Sequence, residues 1–74
     1  MQVIGYRRAD FRTDDGQQIE GWTIYLTEQR QGVEGLATER IFLSTRKSAY
    51  QPQLGDELQV YYNKYGKVEH VELI

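Results

Sequence analysis

At 74 residues the chain has room for one small domain, and a domain this short buries only roughly 60% of the surface its unfolded form exposes, so dimerisation is an expected supplement to its core. The absence of cysteine and the single histidine, His70, set aside disulfide stapling and Cys- or His-built metal sites. No apolar run approaches the ~20 residues of a membrane span, and the N-terminus enters an alternating pattern directly, which together suggest a cytoplasmic protein.

The formal charge of −2 argues against a dedicated nucleic-acid binder, whose surface usually carries a basic surplus, but the total hides an uneven distribution. Residues 1–12 carry +2 through Arg7, Arg8 and Arg12 against Asp10, and residues 13–39 carry −5. Residues 40–50 carry +3 through Arg40, Arg46 and Lys47, and residues 51–74 carry −2. If the first and third blocks lie side by side, they form a basic stripe on an acidic molecule, and it is local potential that steers an anionic ligand.

Taken in chain order, Gln2–Arg12 alternates with Val3, Ile4, Tyr6 and Phe11 as its larger apolar members and ends at the turn signal Asp14-Asp15-Gly16. This is the first predicted strand. Ile19–Thr27 is the second, with Trp22, Ile24 and Leu26 on one face and Thr23, Tyr25 and Thr27 on the other, a β-branched and aromatic composition that suits a strand. Gly21 within it predicts a bulge or sharp bend. Glu28 to Ala37 is polar, has two glycines and no stable period, and reads as an exposed loop or a long hairpin arm, the segment expected to be most mobile. Thr38–Thr45 is the third strand, with Ile41 and Leu43 on one side and Arg40, Phe42 and Ser44 on the other. Ser44 or Thr45 then caps a predicted helical turn over Arg46 to Ala49, which Pro52 stops.

The last third, from Tyr50 to Ile74, holds four of the six tyrosines and a hairpin signal. After Leu54-Gly55-Asp56, the residues Leu58, Val60 and Tyr62 alternate with polar neighbours, Gly66 permits a reversal, and Val68, Val71 and Leu73 bring a second strand back. The tip presents Lys64, Tyr65 and Lys67, a ring between ammonium groups of the kind that stacks a base and pairs with a phosphate. Five strands with one short helical turn predict an all-β domain spanning 1–74, a small, partly open OB-type barrel. An SH3-like barrel uses the same number of strands and is not distinguished by pattern alone.

The glycine-led second strand from Gly16 to Leu26, the Ala49-Tyr50-x-Pro52 step and the Tyr65-Gly66 turn together resemble the helix-destabilising, single-stranded-DNA-binding proteins of filamentous phages, the gene V type, and related mobile-element proteins. The resemblance spans most of the chain through short motifs. It implies a homodimeric OB-type barrel that coats single strands in DNA replication, with Tyr65 in a loop near the dimer axis and Tyr25 on the strand leading from the first arm.

From the residues themselves, Tyr62 and Trp22 share phase with apolar neighbours and are assigned to the core, whereas Tyr61 and Tyr65 point elsewhere and are stacking candidates. Neighbours on a strand face opposite ways, so only one of Arg7 and Arg8 can serve a given surface. The expected strand-binding set is Arg7, Arg8, Tyr25, Arg40, Arg46, Lys47, Tyr61, Lys64, Tyr65 and Lys67. No nucleophile and base stand at a catalytic spacing, Asp14-Asp15 and Asp56-Glu57 read as turn residues, and Gly32 and Gly35 lie in no phosphate-cradling motif. Neither catalysis nor a cofactor is expected. Two functions remain: binding of single-stranded DNA, or RNA, without sequence readout, and an acidic β-barrel protein-interaction module acting through a sheet edge or the 28–37 loop.

Overall fold

A computed structural model describes residues 1–74 as an all-β chain with five strands and no helix. The strands are β1 (Gln2–Arg12), β2 (Gln18–Glu28), β3 (Ala37–Ser44), β4 (Leu58–Tyr62) and β5 (Val68–Leu73), each within two residues of its predicted bounds. They form a three-stranded antiparallel sheet in the order β1-β2-β3 and a two-stranded sheet, β4-β5.

Alternation sorts the three-stranded sheet into two surfaces, because residues directly paired across a ladder share a face. The inner face reads Val3-Leu26-Glu39, Tyr6-Ile24-Ile41 and Arg8-Trp22-Leu43 across the strands. Its apolar members Val3, Ile24, Leu26, Ile41 and Leu43 pack against Leu58, Val60 and Val71 of the second sheet, and these eight side chains are the core. Trp22 packs against this cluster from its margin, where Tyr6 meets it edge-on with ring centroids 5.8 Å apart.

Two irregularities set the phase. Ile4 is the extra residue of a bulge between Val3 and Gly5, which allows both Val3 and Tyr6 to face inward. Glu69 is the extra residue opposite the Tyr61/Tyr62 step, where Tyr61 pairs with His70 and Tyr62 with Val68. The core assignment of Tyr62 fails for a different reason: it stands at the rim of the open side, 44% exposed, where its hydroxyl donates to Glu39 of β3 at 3.2 Å.

The sheets join along one seam. Val3 N–H donates to the Asp56 carbonyl and Gly55 N–H to the Val3 carbonyl, both at 2.9 Å, Leu58 N–H donates to the Met1 carbonyl at 2.7 Å, and Gln2 bridges Glu57. On the opposite side β3 and β5 approach each other without a backbone ladder, so the two sheets are not closed into a barrel, consistent with the partly open domain expected. The contact between Tyr62 and Glu39 spans that side in place of strand pairing.

The helical turn predicted after β3 is reduced to one hydrogen-bonded turn with no helix. Lys47 and Ser48 N–H both reach the Ser44 carbonyl, at 3.1 and 3.2 Å, and Ser44 Oγ accepts from Arg46 N–H at 3.2 Å. Two bonds to one carbonyl do not repay the dihedrals a longer helix nucleus must fix. Gly21 is not at a bulge either, since both its ladders run in register. It is glycine because a Cβ there would stand 2.4 Å from the Leu43 carbonyl oxygen and 2.6 Å from Cζ of Phe42.

The two tight hairpins use one turn chemistry. Gly16 N–H donates to Thr13 and Thr13 N–H to Gln17, while Gly66 N–H donates to Asn63 and Asn63 N–H to Lys67. In each the glycine occupies the left-handed region, with φ of 85° and 77°, as expected of a type I turn closed by a glycine bulge. Side chains complete both turns: Thr13 Oγ1 donates to Asp15, and Asn63 Oδ1 accepts from the N–H groups of Tyr65 at 2.9 Å and Lys67 at 3.1 Å.

Candidate nucleic-acid interface

The outer face of the three-stranded sheet is built row by row. Across the strands it reads Gly5-Tyr25-Arg40, then Arg7-Thr23-Phe42, then Ala9-Gly21-Ser44, with Phe11 and Ile19 paired beyond. The third row is small throughout. The phenyl ring of Phe42 therefore leans over Gly21 and meets Phe11 diagonally, at 5.8 Å between centroids and 55° between planes. Tyr25 leans the other way, its Cδ2 within 3.7 Å of where a Gly5 Cβ would stand. Arg7 and Arg40 are exposed on either side of β2, so the two basic blocks flank that strand instead of adjoining.

This face runs into a groove of about 650 Å³ on the open side, between β3, the turn after it and the β4–β5 hairpin. Arg40, Arg46, Lys47 and Lys67 line the groove with Phe42, Tyr62 and Val68, and Glu39 is its one carboxylate. That carboxylate is already engaged, 3.7 Å from the Arg30 guanidinium and accepting from Tyr62. Burial first, then Glu39, holds the Tyr62 phenol above its ordinary value.

Ion pairing separates the cations into two groups. Of the nine lysine and arginine side chains, only Arg8 and Arg30 are paired with carboxylates. Arg8 lies 2.9 Å from Asp10, 3.9 Å from Glu20 and 5.1 Å above the Trp22 ring, at the margin of the inner face. Arg30 sits 2.5 Å from Glu28, which raises its pKa, chiefly through that hydrogen bond. Every cation of the groove is free of a carboxylate partner, as are Arg7, Arg12 and Lys64.

The expected set thus divides. Arg7, Tyr25 and Arg40 share the outer face, and Arg40, Arg46, Lys47 and Lys67 meet in the groove. Lys64 and Tyr65 stand at the hairpin tip, with Lys64 Nζ 5.1 Å from the centroid of the Tyr65 ring, itself 74% exposed. Arg8 is on the opposite face and neutralised. Tyr61 is on the outer side of the second sheet, one face covered by His70 at 4.6 Å in a near-parallel stack. Its phenol is raised, first by the charge of Glu72, to which it donates at 3.3 Å. Phe11, Phe42 and Ile19 were not among the expected residues, although Phe42 already stood out of phase with Ile41 and Leu43 in the sequence.

Together these elements define a small all-β domain with a free cationic groove continuous with an aromatic sheet face. Comparison with family models, with curated proteins and with solved structures finds no match for the chain.

Proposed function

We propose that the chain binds single-stranded DNA without reading its sequence, the groove cations neutralising phosphates and exposed aromatic rings stacking bases. One observation carries this reading: the free cations concentrate along the groove and the sheet face beside it, while the paired ones lie elsewhere. The sign of the local field is therefore opposite to that of the whole molecule, which is what an anionic strand requires. The resemblance of the Gly16 to Leu26 strand, the Tyr50-x-Pro52 step and the Tyr65-Gly66 turn to the phage helix-destabilising proteins points the same way, with a homodimer in the cytoplasm as the expected setting. Leu54, Leu73 and Ile74, all more than 60% exposed, offer apolar surface for such an association.

The test is fluorescence anisotropy of a labelled single-stranded oligonucleotide. If the four groove cations each meet a phosphate, the slope of log affinity on log salt is about −3, a loss of roughly 50-fold between about 50 and about 200 mM salt. Arg40→Ala with Tyr65→Ala is expected to remove most binding and leave the circular dichroism spectrum unchanged. Absence of binding at the lower salt overturns the proposal. A second reading, a protein-interaction module, draws on the β3 edge, which pairs with β2 alone; under it the double variant leaves partner capture intact.

A further inference from the structure

Tyrosine dominates the aromatic content of the chain, yet the best-placed stacking surface is made by its only two phenylalanines. Phe11 is 48% exposed on the solvent face of a sheet, an uncompensated position for a phenyl ring, and it lies beside Phe42 over the small row Ala9-Gly21-Ser44. The two rings, with Arg7, Arg40, Ile41 and Thr23, line a cleft of about 510 Å³. Thr23 is the one buried polar residue of the molecule. The guanidinium groups of Arg7 and Arg40 are both free of carboxylates, and the cleft shares Arg40, Ile41 and Phe42 with the groove that continues toward Lys67. Of the other exposed rings, Tyr61 has one face covered by His70, and Tyr65 stands alone at the hairpin tip with Lys64 5.1 Å from its centroid.

We propose that the Phe11–Phe42 cleft takes an unpaired base of a single DNA strand, with Arg7 and Arg40 holding the adjoining phosphates and Arg46, Lys47 and Lys67 carrying the strand onward. This rests on the strand-binding reading above and adds where the base goes. A paired base is held in its stack and cannot enter, so the cleft discriminates against duplex. Above the floor, the only polar groups of the wall are two guanidinium donors directed at phosphate. A ribose 2′-hydroxyl brought against Phe11 and Ile41 would lose water without gaining a partner, which favours DNA over RNA.

The test compares a short labelled oligothymidylate with an oligomer of the same length lacking bases, at low salt. Wild-type protein is expected to bind the thymidylate at least about tenfold tighter, the effect of one stacked base. Phe11→Leu should remove that advantage and leave affinity for the base-free strand unchanged, whereas Arg40→Ala weakens both. If Phe11→Leu weakens neither oligomer, or both equally, the cleft assignment is wrong while strand binding stands. If wild type binds neither, both readings fall. Because the chain has two phenylalanines, their ring proton resonances in unmodified protein give a check independent of any variant: upfield shifts on adding thymidylate are expected, and unmoved rings under saturation overturn the proposal. Oligouridylate bound as tightly as thymidylate overturns the assignment to DNA.

Discussion

Gly21 illustrates how a single missing Cβ organises a surface. Any side chain there collides with the Leu43 carbonyl and with Phe42, and the carbonyl cannot move without disturbing the β2–β3 ladder. Gly21→Ala is expected to destabilise the fold by about 1–3 kcal/mol, the usual cost of overpacking, read as a lower urea midpoint; an unchanged midpoint would show the ring and strand moving freely. A different balance holds at Tyr50. Burial first, and then the hydrogen bond its hydroxyl donates to Asp56 at 2.5 Å, push the phenol far above its ordinary value, and Tyr62 is raised in the same direction. The folded chain keeps these protons where the unfolded chain, with phenols titrating near ~10, gives them up. Their stabilising contribution is therefore complete below about pH 10 and declines as pH rises further. Urea midpoints taken across that range should fall, and Tyr50→Phe should flatten the decline; a flat wild-type profile contradicts the assignment. Alternation in the sequence predicted which way Trp22, Ile24, Leu26, Ile41 and Leu43 face, because period-2 patterning is local. The Phe11–Phe42 contact depends on registers between three strands, which no local pattern encodes.

At the scale of elements, the two hairpins show which signals were readable. Asp14-Asp15-Gly16 and Lys64-Tyr65-Gly66 place glycine at the position that needs positive φ, so both reversals and their flanking strands could be located from residues alone. The bulge at Ile4 has Gly5 beside it as a mark in the sequence, whereas the bulge at Glu69 has neither a glycine nor a proline next to it and could not be located. The predicted helical turn goes no further than one hydrogen-bonded turn for an energetic reason: its two backbone bonds converge on the Ser44 carbonyl, too little against the cost of nucleation. Asn63 is the element-scale test. Its side-chain oxygen accepts two backbone N–H groups of the tip, and Asn63→Ala is expected to cost about 1 kcal/mol and to loosen Lys64 and Tyr65. Faster amide exchange at Tyr65 and Lys67 would register this, and unaltered exchange would show the glycine turn holding the tip alone.

For the molecule as a whole, eight side chains from all five strands and both sheets form one core, so the two sheets are expected to unfold together. Leu58→Ala, at a position 1% exposed, should cost about 2–5 kcal/mol, a large share of the ~5–15 kcal/mol that stabilises a typical domain. Calorimetry should show a single transition moving to lower temperature; two separated transitions would mean that the sheets are independent. The strand count and the all-β class were legible because five alternating segments and their turns are local features. Which edges of the partly open domain stay apart was not, because it depends on whether two distant strands, β3 and β5, come within pairing distance. The separation of paired from free cations likewise belongs to the assembled molecule, and it has a preparative consequence. At neutral pH a protein with an isoelectric point near 5.3 is expected to run through a cation exchanger, but adsorption responds to the face a molecule can turn toward the resin. This chain should be held by both an anion exchanger and a phosphocellulose column, presenting a different side to each.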